Sequence, residues 1–228
     1  MKTQSYRVRG GVVRIAAWHG RSDIASLALR GRGLIAPAVL ERLLDRMRAD
    51  GYQEVVTNAL APAASTAFVD AGFAVKGRLR VLVHELRELP PMSNRTRRAR
   101  RDERDEILRI DAAAFDDFWR LDDRALRDAA RATPTSHTRV SKGELDGFIL
   151  VGRAATDGYV QRLAVRPDAQ RAGLGRTLLN DGLNWLRAHG ARRAYVNTQD
   201  ENDRARTLYE TAGFTPLPVG LCVLGRTL

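Results

Sequence analysis

A single cysteine, Cys222, stands in 228 residues, which excludes an internal disulfide and a metal site built on several thiolates. The four histidines, His19, His84, His137 and His189, are scattered without ligand spacing, so no metal is expected. No apolar run approaches the ~20 residues needed to span a bilayer. The start, Met1-Lys-Thr-Gln-Ser-Tyr6, lacks the apolar stretch of a signal peptide. A soluble cytoplasmic protein with no membrane partner is the expectation. Two familiar phosphate loops are also missing: there is no GxxxxGK[ST] and no GxGxxG.

Charge of one sign is in excess, with 38 Lys and Arg against 27 Asp and Glu and a net +11. Arginine far outnumbers lysine, a bias that coding composition alone produces. The excess is spread over the chain: fourteen basic and eight acidic residues precede Met92, and twenty-four and nineteen follow from it. The one dense cluster, Arg95, Arg97, Arg98, Arg100, Arg101 and Arg104, alternates as the solvated face of a strand does. A nucleic-acid partner is therefore not expected, and a basic nucleic-acid-associated protein is a third reading resting on charge alone.

What is present is an α/β pattern repeated twice. Residues 6–17 alternate about Gly10-Gly11 as a hairpin, and 24–29 form a further strand. Pro37 opens a helix striped by Val39, Leu40, Leu43, Leu44 and Met47 and stopped at Asp50-Gly51. A strand at 54–60, a short helix at 62–71 ending in Gly72-Phe73, and a strand at 79–86 follow. Pro90-Pro-Met-Ser-Asn94 reads as a linker. Beyond it come a strand at 95–100, a helix capped by Asp102, a helix over 121–132, strands at 138–141 and 147–155 about Lys142-Gly-Glu144, and an apolar end, 217–228, that completes a sheet.

Residues 158–214 carry the chemistry. Gly158-Tyr-Val-Gln-Arg-Leu-Ala-Val-Arg-Pro167 is a strand stopped by proline. Leu174, Leu178, Leu179, Leu183 and Leu186 then stripe a helix that ends at His189-Gly190. Between them Gly173 and Gly175 let something bulky approach the first amides of that helix, which are unpaired and sit at its positive end, and so form an anion site. A strand at 194–198 and a helix ending at Ala212-Gly-Phe214 complete the stretch. The earlier units follow the same order. Aligning Gly72-Phe73 with Gly213-Phe214 sets Phe68 on Tyr209. Aligning Gly51 with Gly190 sets Leu40, Leu44 and Met47 on Leu179, Leu183 and Leu186, and Gly31, Leu34 and Ala36 on Gln170, Gly173 and Gly175. The first copy keeps the core pattern and lacks the loop glycine and the phenol. Two unrelated α/β units sharing common punctuation are the alternative.

The loop Gln170-Arg-Ala-Gly-Leu-Gly175 resembles the [QR]xxGx[GA] loop of the GNAT superfamily of acetyl-CoA-dependent N-acetyltransferases. Leu163-Ala-Val165 looks like that family's splayed strand, and Asn202 with Leu208-Tyr-Glu-Thr-Ala-Gly-Phe214 looks like its second cofactor segment. The resemblance implies a mixed sheet with flanking helices in two GNAT-related units: 1–89 a degenerate, shortened one, 90–94 a linker, and 95–228 a complete one. It implies acetyl-CoA held by Leu163, Ala164, Val165, Gln170, Arg171, Ala172, Gly173, Leu174, Gly175, Arg176, Asn202 and Tyr209. It also implies direct attack by a primary amine of unknown identity, small molecule or peptide, with Tyr209 as acid for the departing thiolate. A core tyrosine, and for Asn202 a helix cap, are the alternatives. The acceptor is expected near Phe115, Trp119 and Asp122, an aromatic group among acids that suits a cationic amine, with Gln161 and Asn197 orienting it. The family's glutamate position falls on Asn197, which leaves the base unassigned. A non-catalytic acyl-CoA-binding or scaffolding protein is the second reading, and a homodimer is left open.

Overall fold

The computed structural model describes residues 3–9, 11–31 and 35–228. Gly10 of the expected hairpin and Leu34 of the repeat alignment lie outside the described residues. In chain order the elements are β1 (Gln4–Val8), β2 (Gly11–Trp18), β3 (Arg21–Gly31), α1 (Pro37–Ala49), β4 (Glu54–Thr57), α2 (Pro62–Asp70) and β5 (Ala74–His84). Next are β6 (Thr96–Arg98), α3 (Arg104–Ala114), α4 (Asp123–Ala130), β7 (Thr135–Ser141), β8 (Gly147–Ala154) and β9 (Asp157–Val165). Last come α5 (Leu174–Ala188), β10 (Arg193–Gln199), α6 (Asp203–Thr211), β11 (Thr215–Pro216) and β12 (Leu221–Thr227). Two compact units divide them: Met1–Arg80 with Gln199–Glu201 and Pro218–Leu228, and Val81–Thr198 with Asn202–Leu217. Among the described residues no helix is long and apolar enough to cross a membrane.

In the first unit β1 and β2 form the expected hairpin, β2 pairs β3 antiparallel, and β3 runs parallel to β4. The apolar end of the chain, expected to complete the sheet of the second unit, pairs in the first: β12 lies antiparallel to β4 and to the first part of β5. Pro37 takes the first turn of α1, where its missing N–H costs nothing. Leu40, Leu43, Leu44 and Met47 are buried against Ile15, Leu27, Val55, Phe68 and Leu224. Each such side chain contributes roughly 2 kcal/mol of transfer free energy.

The second unit is a sheet in the order β10-β9-β8-β7-β6, with β9 and β10 parallel and the other neighbours antiparallel. One face packs on α5 through Leu178, Leu179, Leu183, Ile149, Val151 and Val196. The other packs on α3 and α4 through Ile107, Ile110, Leu126, Phe148 and Ala164. The strand expected over 95–100 is only three residues long. Asp102 does not cap the helix after it; a 3-10 turn intervenes and the Glu103 carboxylate accepts from the Arg100 N–H at 2.7 Å while pairing with Arg97. The proline-rich connection is strapped along α5: Asn184 and Asn180 donate to the Pro90 and Pro91 carbonyls at 2.8 and 3.0 Å, and the buried Asp181 accepts from the Ser93 N–H at 2.7 Å.

The repeat is visible in backbone detail. Helices α1 and α5 end in the same bond, from Tyr52 N–H to Met47 and from Ala191 N–H to Leu186, and α2 and α6 end in Phe73 to Phe68 and Phe214 to Tyr209. Each bond spans a glycine with positive φ, the left-handed residue that reverses the chain there. The copies differ before the first helix. Thirty residues separate Ile24 from its partner Glu54, and thirty-six separate Asp157 from its partner Arg193, a difference of six. Since α1 is 13 residues long and α5 is 15, most of the shortening falls in the strand-to-helix loop. Gly31 accordingly ends a strand, where Gln170 lies in a loop.

Candidate active site

Parallel pairing of β9 with β10 begins at Asp157 and Arg193 and stops at Val160 and Val196. Past that point 162–165 remain paired only to β8, and the two strands part. A bulge sits at the parting: Leu150 opposes Arg162 and Val151 opposes Val160, so Gln161 is the extra residue. In the first unit the equivalent place is closed by a side chain, because Asn58, which aligns with Asn197, accepts the Leu29 N–H at 3.0 Å. Asn197 itself is exposed.

The parted strand leads into the glycine loop. Gln170 spans it, donating to the Val165 carbonyl at 2.9 Å and accepting from Arg204. Arg171 and Gly173 take positive φ of 67° and 78°, and a methyl built on Gly173 would meet nothing within 4 Å. No side chain caps α5, and its first internal bond is from Thr177 N–H to the Gly173 carbonyl at 3.0 Å. The amides of Leu174, Gly175 and Arg176 thus have no partner within the helix and sit at the positive end of its 15 residues. Arg171, Ala172 and Arg176 are exposed; Arg176 donates to Thr211 at 3.0 Å, while Ala164 and Leu174 are buried. Among the described residues no group of His, Cys, Asp or Glu is placed to hold a metal.

Tyr209 sits on α6, 6% exposed, its ring 5.6 Å from that of Phe214. Among the described residues its hydroxyl has no hydrogen-bond partner. Burial pushes the phenol up to about 12, offset in part by the positive charge of Arg162. Asn202 makes the capping bond of α6, its Oδ1 accepting from the Ala205 N–H at 3.0 Å.

On the other face of the sheet the expected aromatic and acidic segment is a braced loop. Asp116 accepts from the N–H groups of Phe118 and Trp119, and Asp117 pairs with Arg120 at 3.0 Å. Asp122 caps α4 through the Ala125 N–H at 2.7 Å, and Asp123 pairs with Arg104 and Arg127. The face of Phe115 is covered by the Arg162 guanidinium, 3.4 Å from the ring centroid. These acids are engaged within the chain, so a free carboxylate trap for an ammonium is not what the loop presents. Gln161 donates to Thr133 at 3.4 Å, and its Oε1 is buried without a partner. Sequence reasoning passed over Asp111 and Arg162, which lie 51 residues apart and pair at 2.5 and 2.9 Å beside this loop.

Comparison with known proteins places this geometry. The model of the acetyltransferase (GNAT) family matches residues 98–214, which take in the parted strands, the glycine loop and the Tyr209 helix. A mycothiol acetyltransferase of Thermomonospora curvata is 32% identical over 216 residues, covering 86% of this chain and 65% of that one. Another, of Beutenbergia cavernae, is 48% identical over 72 residues, covering 32% and 24%. The chain thus matches less than two thirds of the length of these relatives. Among solved structures, a tandem GNAT protein from the clavulanic acid biosynthesis pathway superposes with a TM-score of 0.69 at 12% identity, over 96% of this chain and 79% of that one. Sequence and fold agree, and the family match spans half of the chain: it belongs to the acetyltransferase (GNAT) family.

Proposed function

We propose that this chain moves an acetyl group from acetyl-CoA to a primary amine by direct attack, with 95–228 as the working unit, 90–94 as the connection and 1–89 as a degenerate copy. The observation that carries the reading is the parting of β9 and β10 after Val160 and Val196, next to the uncapped start of α5. The residues present fit the coenzyme. Amides at Leu174, Gly175 and Arg176, with the guanidinium of Arg171 nearby, suit a diphosphate. The free edge of Leu163, Ala164 and Val165 suits an extended amide-bearing arm, since its main-chain groups toward β10 have lost their strand partner. Gln170 sets the loop's shape, and Asn202 holds α6 where Tyr209 can serve.

When bound, acetyl-CoA supplies a thioester whose carbonyl carbon is the electrophile and whose sulfur leaves. Tyr209 keeps its proton throughout the neutral range and donates a hydrogen bond wherever negative charge develops beside its hydroxyl. A phenol near 12 is a poor acid in water, but the same burial raises the basicity of any anion next to it, so proton transfer is set by the site. Gln161 offers its unpartnered Oε1 to an N–H of the incoming amine, and Asn197 and Trp119 line the approach. Phe115 and Asp122 build the wall of that approach and do not contact the amine. No carboxylate is assigned as base; the ammonium proton leaves through solvent.

The names of the curated relatives make the unacetylated form of mycothiol the first amine to test, beside peptide and small-molecule amines. The experiment is a thiol-release assay on such a panel with wild type and Tyr209→Phe. Turnover by the wild type with a kcat lower by ~10²-fold in the variant fits the proposal. Calorimetric binding of coenzyme A without turnover of any amine makes the chain a binder only.

A further inference from the structure

The bulge at Gln161 has a second consequence. Val160 packs on the α5 face and Ala164 on the α3 and α4 face. Strict alternation from Val160 would send Arg162 into the apolar α5 core. With one residue inserted, Gln161 and Arg162 both turn to the α3 and α4 face, where Gln161 meets Thr133 and Arg162 meets Asp111. Asp111 is fully buried, and the fork of Arg162 grips it at 2.5 and 2.9 Å.

From this pair three holds reach the segment between α3 and α4. Arg162 Nη2 donates to the Trp119 carbonyl at 2.9 Å, its guanidinium lies on the Phe115 ring at 3.4 Å, and Asp111 Oδ1 accepts the Leu121 N–H at 2.7 Å. The segment, 115–122, has no helix or strand of its own; Asp116 and Asp117 tie it locally, and Asp122 caps α4. We propose that Asp111 and Arg162 are positioning residues that fix this segment at a set distance from the parted end of β9, and so fix the width of the amine's approach. The inference rests on the acetyl-transfer reading and adds to it which side of the reaction the pair serves: the amine, not the coenzyme. Arg162 also stands within electrostatic reach of the Tyr209 hydroxyl.

The test uses the full chain and two variants. The double variant Asp111→Asn with Arg162→Gln leaves no lone buried charge and folds where a single deletion risks failure. Arg162→Lys keeps the charge but not the fork. The expected results are amide exchange at Leu121 at least tenfold faster in the double variant, coenzyme A affinity within twofold of wild type, and an acceptor KM raised at least tenfold with an unchanged KM for acetyl-CoA. Arg162→Lys falls between. Unchanged exchange over 115–122 overturns the clamp whatever the activity, as does a rise in both KM values together. A wild type that binds coenzyme A but acetylates no amine removes the acetyl-transfer reading instead, and the exchange result still judges the clamp.

Discussion

Gly173→Ala isolates the diphosphate assignment. Gly173 has φ of 78°, and a methyl there would meet no protein atom within 4 Å. Inside the protein the cost is therefore backbone strain alone, about 1 kcal/mol for an alanine in the left-handed region. For a chain of this length that lowers Tm by about 2–4 °C. Gly190, at the other end of α5, provides the control: its φ is 89°, its methyl would also meet nothing within 4 Å, and it lies a helix length from the loop. Both variants should lose the same stability in a thermal melt. Only Gly173→Ala puts a methyl into the space that anion oxygens must occupy to reach the first amides of α5, so coenzyme A affinity should fall at least tenfold, about 1.4 kcal/mol. Isothermal calorimetry on both variants reads the difference. Equal coenzyme A affinities in the two variants, at equal loss of stability, would refute the placement of the diphosphate.

Three further outcomes follow from the same geometry. Because the first copy is four residues shorter before its helix and Asn58 bridges the place where its strands would part, calorimetry should find one coenzyme A per chain; a stoichiometry near two would contradict this. The Tyr209 phenol, held near 12, should leave the rate without a tyrosine-dependent loss up to about pH 10, and the stability that it contributes through its raised folded pKa should be lost only as pH rises from about 10 to 12. His137, half-buried and stacked on Trp185 at 4.9 Å, has its pKa lowered by burial and by Arg139 from 6.5 to about 4; its neutral form stabilises the fold above about 6.5, and that contribution disappears as pH falls toward 4. His137→Gln should flatten the acid side of a Tm-versus-pH curve, and a curve of unchanged slope would show that the acid loss comes from elsewhere.

Periodic features were legible in the sequence. The stripes of α1 and α5 appear at the expected residues, and the two glycine-phenylalanine stops have the same backbone bonds. The place of the glycine loop between β9 and α5 was legible because it is local: a turn with a φ of 78° at Gly173 needs only neighbours in sequence. Features that depend on distant partners were not legible. Asp111 drew no notice in the sequence; its burial is matched by the fork of Arg162, which arrives from β9. Arg162 in turn reaches that face because of a one-residue bulge, which leaves no mark in an alternating pattern. The acids of 115–123 looked like a trap for a cation, yet turns, caps and arginines in the fold engage them. The chain end was apolar enough to read as a strand, but its place between β4 and β5 is set by pairing with residues over 140 positions earlier.

A crystal grown with coenzyme A tests the central claim most directly. The account predicts diphosphate density within hydrogen-bonding distance of the amides of Leu174 and Gly175, and the thiol-bearing arm along Leu163 to Val165 where β9 has left β10. Density for the coenzyme elsewhere, or a start of α5 closed by the protein's own side chains with the coenzyme present, would contradict it.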